Sequence, residues 1–302
     1  MQSFRFIGLL RSIRMGEVAV LQGTPLMGLA FALHDGAHPS LMVLLQTLAV
    51  LVCASSLLVA HVFVLNDWAG IDADLRDPHR KSPSFLSLGV TRQSMLGLAF
   101  LLAILGLAVS SFLGPTSALV ASGLLVTSVL YSAPPFHGKG VPVANSMLHL
   151  AGGSLHFLLG YLAVAEWSAQ SLVLAAYFGV VFAAGHLMHE VRGHEADAAN
   201  DIRTNAVVFG EKATYASSFA LFSVAYVLIG YWGALEQHLW VVLVAGSAYL
   251  LHCVRTWQAL GSRLNHHALL KLQRCYRRNF ALIGLILLFV SALAYFRSLA
   301  LG

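Results

Sequence analysis

Nine apolar runs of near-membrane length recur along this chain, at 16–34, 41–65, 94–113, 116–133, 143–165, 171–189, 213–233, 238–255 and 279–297. A helix that crosses the hydrocarbon core of a bilayer needs about 20 mostly apolar residues, and it must satisfy every backbone N–H and C=O within itself. With 58% of its 302 residues hydrophobic and 10% charged, the chain is too apolar for a water-soluble domain of this size. The fold class this predicts is an all-α membrane protein of nine transmembrane helices, forming a single polytopic domain over residues 1–302.

The basic residues orient it. With the N-terminus inside, the cytoplasmic connections collect Arg5, Arg11 and Arg14, then Arg76, Arg80, Lys81 and Arg92, then Lys139, then Arg192, Arg203 and Lys212, then Arg255 to Arg278. Of the 18 Lys and Arg, only Arg297 falls on the other side, the bias that fixes topology in membranes. The net charge of +5 is accounted for by loops lying against an anionic leaflet, so no nucleic-acid partner is needed to explain it. Cys53, Cys253 and Cys275 suggest neither a disulfide framework nor a Cys metal site. The stretch from Met1 to Arg14 reads as an interfacial amphipathic helix rather than a removed signal peptide.

Two acidic clusters break the apolar pattern. One runs from Asn66 to Asp74 and the other from Glu190 to Asp197, each just past the end of an apolar run and both on the cytoplasmic side. A carboxylate beside a membrane costs several kcal/mol to desolvate unless a cation compensates, so such residues mark function by default. On a continuous helix Asp67 and Asp74 share one face, while Asp72 points away; Glu190, Asp197 and Asp201 share a face by the same rule. Hard oxygens without Cys suit Mg²⁺, which keeps waters and is commonly completed by substrate phosphates. Arg80, Lys81, Arg192, Arg203 and Lys139 supply cations for phosphate oxygens.

The first acidic cluster, the stretch Tyr131, Ser132, Pro134, Pro135, Phe136 and Lys139 with Asn145 beyond it, and the stretch Asp197, Asp201, Ile202, Arg203 and Thr204 together resemble the UbiA superfamily of intramembrane prenyltransferases. The resemblance implies nine helices around a cavity open to lipid. It implies two Asp-rich motifs that hold Mg²⁺ against an isoprenoid diphosphate, whose departure leaves an allylic cation for a lipophilic acceptor to attack. By position, Asn66, Asp67 and Asp74 match the family's NDxxDxxxD, Asp197 matches the second Asp of DxxxD, and Lys139 matches a lysine expected to contact diphosphate. Gly70 and Gly193 stand where each motif carries one further Asp. Asp72, Glu190 and Glu195 are the candidates to compensate, Asp72 on condition that Gly70 breaks the helix, and Asp72 and Glu190 make up the metal set with Asp67, Asp74 and Asp197.

The implied diphosphate contacts are Asn66, Arg80, Lys139, Arg192 and Arg203. His149 and His156, seven apart on the fifth helix, are candidates for lining an acceptor cavity with Asn145 and Tyr131. His186, His189 and His194 surround the second cluster, where a structural or polar role outweighs metal ligation. The expected activity is Mg²⁺-dependent prenyl transfer to an aromatic or quinone-precursor acceptor, at the cytoplasmic face of a bacterial inner membrane and in contact with membrane lipids. A terpene cyclase and a non-catalytic lipid- or partner-binding protein are the alternatives, because fold alone does not decide among them.

Overall fold

The computed structural model describes residues 8–76 and 84–301, with side chains as far as Arg297. After a turn of helix over 8–12 come α1 (Met15–Leu21) and α2 (Gly23–His34), then α3 (Leu41–Arg76), α4 (Arg92–Ser111) and α5 (Pro115–Ser132). A short 3-10 turn (Gly138–Gly140) leads to α6 (Ala144–Tyr161) and α7 (Ala169–Ala199). The chain closes with the five-residue α8 (Asn205–Phe209), α9 (Glu211–Leu235), α10 (Leu239–Gly261) and α11 (His266–Leu301).

Among the described residues, eight helices are long and apolar enough to cross a membrane, one fewer than the sequence predicts. The ninth is α6. It forms at the expected place, but Asn145, Ser146, His149, Ser154 and His156 make its 18 residues too polar to qualify by composition. Their presence is tolerable because α6 packs against α2, α5 and α7 rather than facing lipid alone. The lipid-facing surface is carried by residues such as Phe100, Ile104, Leu119, Val227, Leu285 and Phe289, all exposed.

Helices surrounded by lipid gain little from apolar burial against one another, so close packing and interhelical hydrogen bonds hold the bundle. Two glycine-lined crossings show this. A Cβ on Gly28 would strike the Phe157 carbonyl, and one on Gly160 would strike that of Pro25, so α2 and α6 touch backbone to backbone. On the other side, a Cβ on Gly153 would come within 2.9 Å of the Phe178 carbonyl, and one on Gly179 within 2.6 Å of the Leu150 carbonyl, so α7 approaches α6 as closely. Polar pins add to this: Ser154 Oγ donates to the Ala175 carbonyl at 2.9 Å, and Ser218 Oγ to the Ala184 carbonyl at 2.8 Å. Each such bond contributes about 0.6 kcal/mol in a membrane protein.

The main core runs through α2, α6, α7, α9 and α11, centred on residues such as Phe31, Phe157, Tyr161, Phe222 and Trp232. A smaller cluster of Val18, Val64, Ile71, Phe85 and Met95 joins α1, α3 and α4. Three helices are much longer than a bilayer requires. At 36 and 31 residues, α3 and α7 span roughly 54 and 46 Å at 1.5 Å per residue, against a hydrocarbon core of about 30 Å. Residues 66–76 and 190–199, which lie beyond the apolar runs ending at 65 and 189, are therefore helix, and α3 continues unbroken through Gly70. With the spans alternating in direction, the C-terminal ends of α3, α5 and α7 and the N-terminal end of α6 lie at the same end of the bundle.

Candidate active site

Glu190 is the most heavily engaged residue at that end. It lies on α7, 3% exposed. Its Oε1 accepts from Asn145 Nδ2 at 2.5 Å and lies 3.0 Å from His186 Nε2. Its Oε2 accepts from the Asn205 backbone N–H at 3.1 Å and from Asn205 Nδ2 at 3.0 Å. A carboxylate offers about four lone-pair sites, and three N–H donors take most of them here. Glu190, expected among the metal ligands, instead ties α6, α7 and α8 together. Asn205, which the sequence reading passed over, completes the knot: its Nδ2 also reaches Asn145 Oδ1 at 2.7 Å, and its Oδ1 accepts from the Val143 N–H at 2.7 Å. Val143 has φ 65°, unusual for a β-branched residue, and this bond helps hold it there.

Above the knot lies a stack of rings. The imidazoles of His149 on α6 and His186 on α7 are parallel, 3.7 Å apart at their centroids and tilted by 10°. Tyr131, at the end of α5, sets its edge against both, at 4.9 and 6.0 Å. His149 Nδ1 is 3.0 Å from the Asn145 carbonyl. His156, two turns further along α6, does not join them; its Nε2 bonds Ser55 Oγ on α3 at 2.8 Å and is buried. The expected pair on one helix face is thus divided between one residue at the site and one pin between helices.

Lys139 sits in the 3-10 turn, half-buried, with its carbonyl accepting from Asn145 Nδ2 at 3.3 Å. Its charge acts on Asp197 and on His186, and Tyr131 feels both Glu190 and Asp197, so these groups occupy one neighbourhood. Arg203 is exposed and its backbone nitrogen would lie 4.0 Å from a Cβ on Gly140, which puts its loop against the Lys139 turn. Arg192 is not brought in. It turns to α11, where Nη1 bonds Gln273 Oε1, while Nη2 reaches His189 Nδ1 at 2.9 Å.

The α3 end is arranged differently. Asp67, 9% exposed, receives a two-point grip from Arg14, with Nη2 on Oδ1 and Nε on Oδ2 at 3.3 Å. Arg14 is at φ 54° just before α1, over the Phe63 ring. Asp74 and Asn66 are half-buried. Asp72 is exposed and paired with Arg92 at the base of α4, on the other side of the helix. Since Gly70 leaves α3 intact, Asp72 stays away from the face that Asp67 and Asp74 share. Arg80 lies outside the described residues.

No group of three or more His, Cys, Asp or Glu among the described residues could hold a metal by itself. Mg²⁺ asks for less: one or two carboxylates, with waters and phosphate oxygens filling the octahedron. Asp67 and Asp74 on α3 and Asp197 on α7 are donors of that kind. Around them there is room. A Cβ on Gly70 would touch nothing within 4 Å, and one on Gly193 would meet only Asp197 Oδ2 at 3.7 Å.

Comparison with known proteins gives this arrangement its setting. Residues 23–274 match the family model of the UbiA prenyltransferases. The chain belongs to the UbiA prenyltransferase family. A UbiA homologue from Archaeoglobus fulgidus, solved with DMAPP and Mg²⁺, superposes with a TM-score of 0.71 at 20% identity, over 95% of this chain and 98% of that one. A UbiA homologue from Aeropyrum pernix K1, solved in its apo form, gives 0.66 at 16% identity over 87% and 97%. In sequence, the digeranylgeranylglyceryl phosphate synthase of Methanoregula boonei is 33% identical over 183 residues, 56% of this chain and 61% of that relative. The UbiA fold is thus shared along nearly the whole chain, and the eight apolar spans mark this member as an integral membrane protein.

Proposed function

We propose that the protein transfers a prenyl group from an isoprenoid diphosphate to a lipophilic acceptor, with Mg²⁺, at the cytoplasmic face of the bacterial inner membrane. The observation that carries this is the gathering of Lys139, Asp197 and the His149–His186 stack at the end of the bundle where α3 also presents Asp67 and Asp74. Archaeoglobus fulgidus UbiA homologues have been solved with DMAPP or GPP and Mg²⁺. When bound, Mg²⁺ neutralises charge on the diphosphate and stabilises it as a leaving group. Asp67, Asp74 and Asp197 hold that assembly, Asn66 and Arg203 lie beside it, and Lys139 faces the oxygens on which negative charge grows as the allylic bond breaks.

The acceptor reading is an aromatic or quinone-precursor ring, for which the flat faces at Tyr131, His149 and His186 provide a wall. A glyceryl-type alcohol is the second reading, favoured by the product named for the Methanoregula boonei relative.

The test is single-turnover reaction of the purified protein with Mg²⁺, a panel of prenyl diphosphates and both acceptor classes, following diphosphate release and prenylated product. Lys139→Met is expected to slow turnover more than it weakens donor binding, with Lys139→Arg retaining part of the rate. A cyclised hydrocarbon formed without acceptor would make the protein a terpene cyclase. No diphosphate release with any donor would reject the reading.

A further inference from the structure

We propose that His149 Nε2 takes the proton which the acceptor must lose, so that His149 is the general base of the prenyl transfer; this rests on the function proposed above. The geometry fixes which nitrogen acts. A carbonyl only accepts, so His149 Nδ1, 3.0 Å from the Asn145 carbonyl, carries the hydrogen of the neutral ring. Nε2 is then left with the lone pair. Asn145 is itself immobilised by Glu190 and Asn205, which makes the tautomer a property of the whole knot.

His186 completes the device. Its Nε2 lies 3.0 Å from Glu190 Oε1 without forming a hydrogen bond to it. The His186 ring lies flat on His149 at 3.7 Å, and the Glu190 carboxylate beside it is the counter-charge for a proton held on the stack. Two imidazoles this close do not both become cations, so the stack holds one proton at a time.

The step balances for either acceptor class. The C1–O bond of the allylic diphosphate breaks with its electron pair leaving on the diphosphate. For a hydroxyl, an oxygen lone pair forms the new bond to C1 and the O–H proton passes to His149 Nε2. For an aromatic ring, a π pair forms the bond and the displaced ring C–H proton goes to the same nitrogen as aromaticity returns.

A base for the acceptor and a group for donor ionisation have different signatures, and the partition of product separates them. In single turnover the wild type should give mainly prenylated acceptor. His149→Gln should still release diphosphate at close to the wild-type rate but divert the prenyl group to water, with prenylated acceptor falling about 100-fold, the scale of a lost general base. His149→Phe keeps a flat ring in the stack and should show the same diversion. Recovery of coupling in His149→Phe would make His149 a packing residue and overturn the proposal, as would cleavage and coupling falling together. If neither variant assembles, the wild type decides: with a hydroxyl acceptor, single turnover in D₂O should slow coupling while leaving donor cleavage unchanged, so that the coupled fraction falls. A coupled fraction unchanged in D₂O would overturn the assignment. Failure of the wild type to release diphosphate would instead reject the parent function.

Discussion

The acidic ends of α3 and α7 are built from the same residue types on opposite principles. On α3 the carboxylates meet arginines from other elements: Arg14 grips Asp67 and Arg92 pairs with Asp72. On α7, Glu190 is buried and bound by amides from Asn145 and Asn205. Arg14 is half-exposed, so its guanidinium can return to water when another cation takes its place on the buried Asp67. A buried carboxylate held by three amide donors is fixed, since losing one partner leaves buried polar atoms unsatisfied. The comparison assigns exchange to α3 and shape to α7, with Asp197, five residues past Arg192 on the projecting turns, as the part of α7 that remains available to cations.

The comparison breaks first at the carboxylates proposed for Mg²⁺. Asp67→Asn and Asp197→Asn should each lower Mg²⁺-supported turnover by about 100-fold or more while the protein remains folded, since shape is kept and an ionic oxygen is lost. Near-normal rates in either would remove that end from the metal site. Next in size, Glu190→Gln turns an acceptor into a donor facing Asn205 and should cost about 1–3 kcal/mol of stability. Thermal unfolding in detergent should fall by several degrees for Glu190→Gln and stay near wild type for Asp67→Asn; equal shifts would erase the contrast between the two ends. Gly193→Asp adds a carboxylate where there is room beside Asp197. Titrating Mg²⁺ against thermal stability should show several-fold tighter binding, and unchanged affinity would place the ion elsewhere. The smallest effect belongs to Arg14→Gln, which releases Asp67 and should tighten Mg²⁺ binding by roughly fivefold at most, the equivalent of about 1 kcal/mol. Weaker Mg²⁺ binding in this variant would mean that Arg14 supports the ion rather than competing with it.

What the sequence made legible was what is local. Apolar runs, one-sided basic residues and the seven-residue spacing of Asp67 and Asp74 read directly, because length, charge bias and helical period depend on neighbours in the chain. Asp72 illustrates the boundary: its separate face was readable, but whether Gly70 would break α3 was not, and Arg92 settles the direction it takes. Glu190 marks where local reasoning ran out. Its spacing put it on the face of Asp197 and its chemistry suited a metal, yet the donors that satisfy it come from Asn145 and Asn205, 45 and 15 residues away. The i, i+4 spacing of His186 and Glu190 was the one available signal for that contact. Arg14, 53 residues from Asp67, left none.

The glycine-lined contacts on both flanks of α6 bear on how the protein is made. A segment carrying an asparagine, two histidines and two serines partitions poorly into lipid by itself, because a membrane-inserting helix is selected by its own apolarity. Here the missing drive is supplied by partners: α2, emerging earlier from the ribosome, waits with Gly28 and the Pro25 carbonyl, and α7, emerging later, closes over Gly153. Insertion of α6 is therefore a cooperative event that needs its neighbours on both sides. A bulky residue at Gly28 or Gly179, far from any reacting atom, would strand the helix that carries His149 outside the bilayer and abolish the protein before any chemistry begins.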